Sequence, residues 1–246
     1  MNLATDGRIL WRLLRGQPRH GTPAERLTAF YGPQAAAYDA FRERLLHGRA
    51  ELLLELAARL PGHARLVELG GGTGRNLAFL GARLADFERV EVVDLCPPLL
   101  EQARRRWRAW PNVVTVEADA TRYRPSQPVD AVVLSYALTM IPDWFLAVDN
   151  ALAMLAPGGL LGVVDFYVAR RSPAPGRARH PALARHGWPA WFAHDGVHPS
   201  PDHLPYLEAR SACVHLREGR APLPYLPGLR VPYYVYIGRK PDPAAA

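Results

Sequence analysis

The sequence predicts an α/β protein: a mostly parallel seven-stranded sheet with a terminal antiparallel hairpin, preceded by an N-terminal helical lid. Three observations predict it. Short apolar runs alternate with helical patterns between residues 66 and 166, which implies parallel strands buried on both faces. The first run exits into Val67-Glu68-Leu69-Gly70-Gly71-Gly72-Thr73-Gly74. Its alternate glycines Gly70, Gly72 and Gly74 let the backbone turn sharply and lie against a ligand, because no Cβ intervenes. The last two strand-like runs have no helix between them, so they are expected to pair antiparallel at the sheet edge.

Residues 1–60 read as the lid and 61–246 as the sheet domain, with an insertion around 168–201. Leu3, Leu10, Trp11, Leu13 and Leu14 lie among arginines over 3–16, a short basic amphipathic helix. Gly21-Thr22-Pro23 breaks the chain before a helix at 24–30, and Tyr31-Gly32-Pro33 makes a turn. Residues 34–60 read as one or two helices closed by Pro61-Gly62. Strands are expected at Leu66–Leu69, Val90–Val93, Val113–Val116, Ala131–Ser135 and Leu160–Phe166, with helices at 75–85, 98–109 and 143–155. Beyond the insertion come a helix at 202–210 and strands at 212–218 and Tyr233–Gly238.

The 246 residues suit one large domain with an elaborated end. No window is apolar enough to span a bilayer, and Arg8, Arg12 and Arg15 cut across any signal-peptide core, so a cytoplasmic protein is expected. Cys96 and Cys213 are far apart and lack metal-ligand spacing, so no metal is expected. The formal charge is +7, and Lys240 is the only lysine. Charge alone does not choose among nucleic acid, an anionic membrane surface and anionic substrates.

Ligands of open α/β sheets bind beyond the carboxyl ends of the strands, where the strand order reverses. A dinucleotide G-x-G-x-x-G fingerprint would need glycine at 75, and the chain has Arg75. With Glu68, the pattern instead resembles the E/D-x-G-x-G-x-G loop of class I S-adenosylmethionine (SAM) methyltransferases. That resemblance implies a glycine loop under the methionine part of SAM, with Glu68 and Asn76 at its edges. It further implies Asp94 and Leu95 at the ribose, Asp119 and Ala120 at the adenine, and Ser135 and Tyr136 beside the transferring methyl. Any one of these acids alone reads as a helix cap; four such positions in order after the loop favour the cofactor. Tyr31, Tyr38 and Arg42 belong to the lid, where Arg42 is a candidate partner for the methionine carboxylate and otherwise a solvated arginine.

Several segments are less generic. They are Tyr38-Asp39-Ala40-Phe41-Arg42, Leu134-Ser135-Tyr136-Ala137-Leu138-Thr139-Met140-Ile141-Pro142-Asp143-Trp144 and Gly162-Val163-Val164-Asp165-Phe166-Tyr167. To these add Trp188-Pro189-Ala190-Trp191-Phe192-Ala193-His194-Asp195, the run Asp202 to Leu207, Pro224 to Pro227, and Val231 to Gly238. Together they resemble the betaine-lipid N-methyltransferases (the BtaB type), also found as one half of the fused betaine-lipid synthase of algae and fungi. The resemblance runs from about Tyr31 to Lys240. It implies three methyl transfers from SAM to the amine of diacylglyceryl-homoserine, releasing S-adenosylhomocysteine and forming the trimethylated betaine lipid. It also implies a separate 3-amino-3-carboxypropyl transferase as partner. A lipid substrate demands membrane access, so the insertion with its arginine-rich segment 168–187 and the N-terminal helix are expected to rest on the inner membrane face, a solvated loop and a helix packed on its own domain being the alternatives.

A free alkylamine has a pKa of about 10, so the site must disfavour the ammonium or take its proton. Tyr136, His194, Asp195, His203 and Tyr206 are candidates for the proton, and Asp165 for holding the amine by hydrogen bonding. A quaternary product cannot donate a hydrogen bond, but aromatic faces attract it by roughly 0.5–2 kcal/mol each. Trp188, Trp191, Phe192, Tyr206, Tyr225, Tyr233 and Tyr234 cluster in the final third, with Trp191 and Tyr206 the preferred pair; core packing explains part of that cluster equally well. Arg170, Arg171 or Arg230 would meet the homoserine carboxylate. Another lipid or small-molecule methyltransferase, acting on phosphatidylethanolamine or a quinone precursor, stays open. So does a SAM-binding scaffold for the partner transferase. No RNA-binding module is visible, so nucleic acid is not an expected partner.

Overall fold

The computed structural model describes residues 43–224 and 228–241, together with Glu25. The expectations for the basic helix at 3–16, for Tyr31, Tyr38 and Arg42, and for Tyr225 lie outside these residues. Seven strands form one sheet in the order β3-β2-β1-β4-β5-β7-β6. They are β1 (Arg65–Leu69), β2 (Arg89–Asp94), β3 (Val113–Glu117), β4 (Val129–Ser135), β5 (Leu155–Phe166), β6 (Ala212–Pro222) and β7 (Arg230–Arg239). β1 to β5 are mutually parallel, whereas β7 runs antiparallel to both β5 and β6. The chain moves outward from β1 to β3 and then returns to β4 on the other side of β1. Connections after β1 and β4 therefore leave in opposite directions, opening a crevice at their carboxyl ends.

Five helices accompany the sheet among the described residues: α1 (Arg49–Ala57), α2 (Pro97–Trp107), α3 (Trp144–Met154), α4 (Ala182–Phe192) and α5 (His203–Arg210). Strand alternation divides the core into two layers. Leu66, Val90, Val92, Val133, Val164 and Val235 face α1 and α2. Val67, Leu69, Val132, Leu134, Val163 and Tyr236 face α3 and α5. Leu52, Leu53 and Leu56 of α1 are fully buried, and burial of such side chains is worth about 1.5–3 kcal/mol each. A Cβ on Gly162 of β5 would stand 3.1 Å from Leu52 Cδ1, so α1 packs directly on the sheet. This end of the expected lid is a core element of the sheet domain.

Two other expectations change. The helix expected at 75–85 is a run of tight 3₁₀ turns, Arg75–Asp86, because Gly81 takes φ 54° and ψ −135° and interrupts it. The insertion carries a helix, α4, that continues through Pro189. Pro97 opens α2, where its fixed φ suits the first turn and its missing N–H removes no intrahelical bond.

Candidate active site

Gly70, Gly72 and Gly74 have φ of 67°, 55° and 62°, a conformation that glycine adopts at no steric cost. The loop is anchored from two sides. From β2, the Asp94 carboxylate accepts the Gly72 N–H at Oδ2 and the Cys96 N–H at Oδ1, both at 2.8 Å. From α2, Trp107 Nε1 donates to the Gly74 carbonyl (2.9 Å) and Arg106 to the Thr73 carbonyl (2.6 Å). Behind the loop, Asn76 donates to Glu68 (2.6 Å) and accepts from Arg49 (3.0 Å), so its amide ties the loop to α1. Sequence reasoning missed Trp107 and Arg106; helical periodicity marks Trp107 only as a core residue.

At the β3 exit, Asp119 Oδ1 accepts the Thr121 N–H and hydroxyl, both at 2.8 Å, and so closes a turn. Its Oδ2 has no partner among the described residues. Asn150 Nδ2 holds the carbonyl of buried Ala120 at 2.8 Å, fixing the chain beside it. Leu95 is half-buried where β2 ends. At the β4 tip, the buried Ser135 hydroxyl has no partner. An adenosyl ligand with a methionine tail fits this set. The glycine loop offers bare backbone, Asp94 and Asp119 offer acceptors in the order that ribose and adenine require, and Ser135 has an unmet hydrogen bond.

Tyr136 follows Ser135 with φ 53°, a left-handed conformation that costs a non-glycine residue about 1–2 kcal/mol. Its N–H donates to Val164 O and its hydroxyl to His47 O, both at 2.7 Å. The ring packs edge-on to Phe166 at 4.7 Å, Phe166 stacks on Phe192 at 5.1 Å, and Trp188 tilts against Phe192 at 5.9 Å. Tyr233 completes this side. Its ring lies 6.3 Å from His47 and 5.2 Å from the Arg217 guanidinium. A Cβ on Gly48 or Gly219 would reach that ring at 2.8 or 2.9 Å, so two glycines cradle it.

The chain after α4 crosses the β4 exit. Val197 N–H donates to Phe192 O (3.1 Å) and His198 N–H to Thr139 O (2.7 Å). Within this crossing, half-buried Asp195 has a buried Oδ1 without a partner. Burial pushes its carboxyl up to about 6, offset in part by the His194 charge. His194 beside it is exposed.

Several sequence-assigned residues lie elsewhere. Asp165 alternates with Val164 and Phe166, so it faces the α3–α5 layer. There it accepts the Thr139 N–H (3.1 Å), the Thr139 hydroxyl (2.8 Å) and the Phe166 N–H (2.8 Å). Burial pushes it up to about 7, and those hydrogen bonds oppose the rise. Asp165 braces the strand tips and is not presented to an amine. His203 is fully buried edge-on to Trp144 at 4.7 Å, with neither ring nitrogen hydrogen-bonded, and burial brings it down to about 4. Tyr206 donates to Asp149 (2.9 Å) between Trp144 and Arg210. Both belong to the α3–α5 side, across the sheet from Tyr136.

The preferred aromatic pair is therefore not a pair. Trp191 is 53% exposed on the outside of α4, while Trp188 and Phe192 of the same helix turn inward. Tyr234 is buried on the far face, opposite Asp165 in register. Arg170 is paired with Asp202 at 2.7 Å, and Arg230 is exposed at the start of β7. Among the described residues, no cluster of His, Cys, Asp and Glu could hold a metal, and no helix is long and apolar enough to cross a membrane.

A sheet of this order, with a glycine loop after β1 and acids at the β2 and β3 tips, is the class I SAM-dependent methyltransferase fold. The chain matches the methyltransferase-domain family model over residues 38–218 and belongs to that family. Among curated proteins it is similar to the trans-aconitate 2-methyltransferase of Methylobacterium radiotolerans, 32% identical over 128 residues, 52% of this chain and 47% of the relative. The Klebsiella pneumoniae protein of that name is 28% identical over 207 residues, covering 78% of each. The chain spans about half the length of the first of these relatives. Among solved structures, the N-methyltransferase NodS of Bradyrhizobium japonicum, crystallised with S-adenosylhomocysteine, superposes with a TM-score of 0.64 at 19% identity. That alignment covers 87% of this chain and 98% of NodS.

Proposed function

We propose that this chain is a SAM-dependent N-methyltransferase that converts the primary amine of diacylglyceryl-homoserine to the trimethylated betaine lipid. One observation carries the choice of an amine: an unpartnered, half-buried carboxylate, Asp195, three residues along the chain from Phe192, whose ring belongs to the aromatic wall with Tyr136, Phe166 and Trp188. A carboxylate suits an ammonium, and aromatic faces suit its methylated successors. The rival reading, suggested by the relatives' names, is methylation of trans-aconitate. An ionised Asp195 beside the reacting centre would repel a tricarboxylate, and of the described arginines Arg217 is already paired with Glu51 and Arg170 with Asp202.

When bound, SAM supplies an electrophilic methyl carbon on a sulfonium. Gly70 to Gly74, Asp94, Asp119 and Ser135 are the residues that would hold it. Asp195 Oδ1 would take the ammonium proton, freeing the nitrogen lone pair for attack. Tyr136, Phe166 and Phe192 exclude water and fix the amine, which is where much of the rate enhancement of such a displacement arises. After the third transfer the quaternary nitrogen has no proton to give, and only the rings hold it.

The test is turnover by purified protein with SAM and diacylglyceryl-homoserine in detergent micelles, followed by mass spectrometry of the lipid. Mono-, di- and trimethyl forms are expected in succession, and trans-aconitate is expected to stay unmodified. Methylated aconitate with unchanged lipid overturns the proposal.

A further inference from the structure

Helix α4 has two apolar faces. The inner one carries Trp188 and Phe192 into the aromatic wall. The outer one presents Leu183 at 85% exposure and Trp191 at 53%, with Gly187 and Ala190 exposed between them. Residues 183, 187, 190 and 191 fall on one side of a helix with 3.6 residues per turn, and that side has no acidic residue. Leu183 and Trp191, with only Gly187 and Ala190 exposed between them, leave an apolar strip along the helix that would gain by burial against an apolar partner.

Charge identifies that partner. Residues 168–194 contain five arginines and no Asp or Glu. Arg170 pairs with Asp202 and Arg177 with Glu208, but Arg171, Arg179 and Arg185 have no carboxylate partner among the described residues. Arg171 and Arg179 are exposed in the segment that leads into α4, whereas Arg185 falls on the inner side with Phe192; a Leu–Trp ridge preceded by such unneutralised guanidinium groups matches an anionic lipid–water interface. There the indole sits at headgroup depth and arginines meet phosphate. Because the same helix lines the candidate cleft on its other side, docking would set that cleft at the bilayer surface.

We infer that the outer face of α4, with Leu183 and Trp191 as its inserted side chains and Arg171 and Arg179 of the preceding segment as its headgroup contacts, docks the protein onto anionic membranes. This deepens the proposed lipid substrate and rests on that reading for its purpose, but the binding is measurable without substrate.

The experiment uses co-sedimentation of the full chain with vesicles of phosphatidylcholine plus phosphatidylglycerol, against phosphatidylcholine alone. Binding is expected to the mixed vesicles, weakening as salt rises. Leu183→Ser and Trp191→Ser should each lower the partition coefficient by about tenfold, since each removes one large inserted side chain. SAM affinity by calorimetry should stay unchanged in Leu183→Ser, which excludes misfolding. Wild-type fluorescence should shift to the blue on mixed vesicles, and the shift should shrink in Trp191→Phe.

Equal sedimentation of wild type and both serine variants, or none at all, overturns the docking surface. So does loss of a dimer, with no change in vesicle binding, when the serine variants pass through size exclusion; the ridge would then join two copies. Vesicle binding without lipid methylation leaves the docking intact and removes the substrate. Methylation in micelles without vesicle binding does the reverse.

Discussion

Replacing Gly70 by alanine tests whether the loop after β1 carries the cofactor. Gly70 has φ 67°, so a Cβ there meets left-handed strain of roughly 1–2 kcal/mol. The new carbon would also stand 2.8 Å from Ala137 Cβ, closer than real Cβ atoms come. Ala137 is the neighbour of Tyr136, itself held at φ 53°, so neither side can give way without moving the candidate site. Overpacking of this kind adds about 1–3 kcal/mol, for a total near 2–5 kcal/mol. Gly158→Ala is the control: φ is 72° there, but nothing lies within 4 Å of the added carbon. Both variants should lose stability in denaturant titrations, Gly70→Ala by more. If only about 1.4 kcal/mol of the Gly70 strain is relieved by shifting the loop, SAM affinity falls tenfold. Calorimetry should show that loss in Gly70→Ala and none in Gly158→Ala. Equal SAM affinity in the two would refute the assignment of this loop to the cofactor.

Trp107→Phe removes the donor to the Gly74 carbonyl while keeping most of the packing. A lost buried hydrogen bond of about 1–3 kcal/mol should appear partly as weaker SAM binding, several-fold by calorimetry, and partly as a lower melting temperature. Asp195→Asn should cut turnover by roughly a hundredfold, the usual scale for removing a general base. Because the Asp195 carboxyl of the ligand-free protein lies near 6, wild-type kcat/KM should fall as pH drops below about 6, and Asp195→Asn should lack that limb. A wild-type limb that survives in the variant assigns it to another group. His203→Leu should be nearly neutral at pH 7 but stabilising by about 2 kcal/mol at pH 5 relative to wild type. The unfolded histidine titrates near 6.5 and the folded one only near 4, so protonation at pH 5 favours the unfolded wild-type chain. Urea titrations at the two pH values measure the difference.

The sheet was legible because its signals are local. Strands β1 to β5 announce themselves as apolar runs, and the absence of a helix between β6 and β7 already implies their hairpin. The positions expected around the cofactor were easy to place for the same reason: Asp94 and Ser135 end β2 and β4, and Asp119 lies two residues past β3. The acceptor side was less legible, because it depends on which face of the sheet a residue occupies. Asp165 is adjacent to Phe166, yet the two belong to opposite layers; likewise Tyr234 lies across the sheet from Tyr233. His203 and Tyr206 share the aromatic-rich final third with Phe192, but α5 packs beside α3 and carries them away. Helix α4 was hidden by Gly187 and Pro189, both poor helix formers, which tertiary packing of Trp188 and Phe192 overrides.

The far layer buries two ionisable groups whose contributions to stability are expected to oppose each other as pH falls. Burying Asp165 raises its carboxyl from 3.8 to about 7, so the folded state binds a proton that the unfolded chain has already lost, and stability grows as pH falls from 7 toward 4. Burying His203 lowers its imidazole from 6.5 to about 4, so the unfolded chain gains a proton first, and stability shrinks as pH falls from 6.5 toward 4. Across the shared window the two trends oppose each other. Removing His203 should therefore leave Asp165 uncompensated, and His203→Leu should be more stable at pH 5 than at pH 7. A variant that instead loses stability on acidification would mean that Asp165 stays ionised inside the fold, held by Thr139 and the Phe166 amide strongly enough to outweigh its burial.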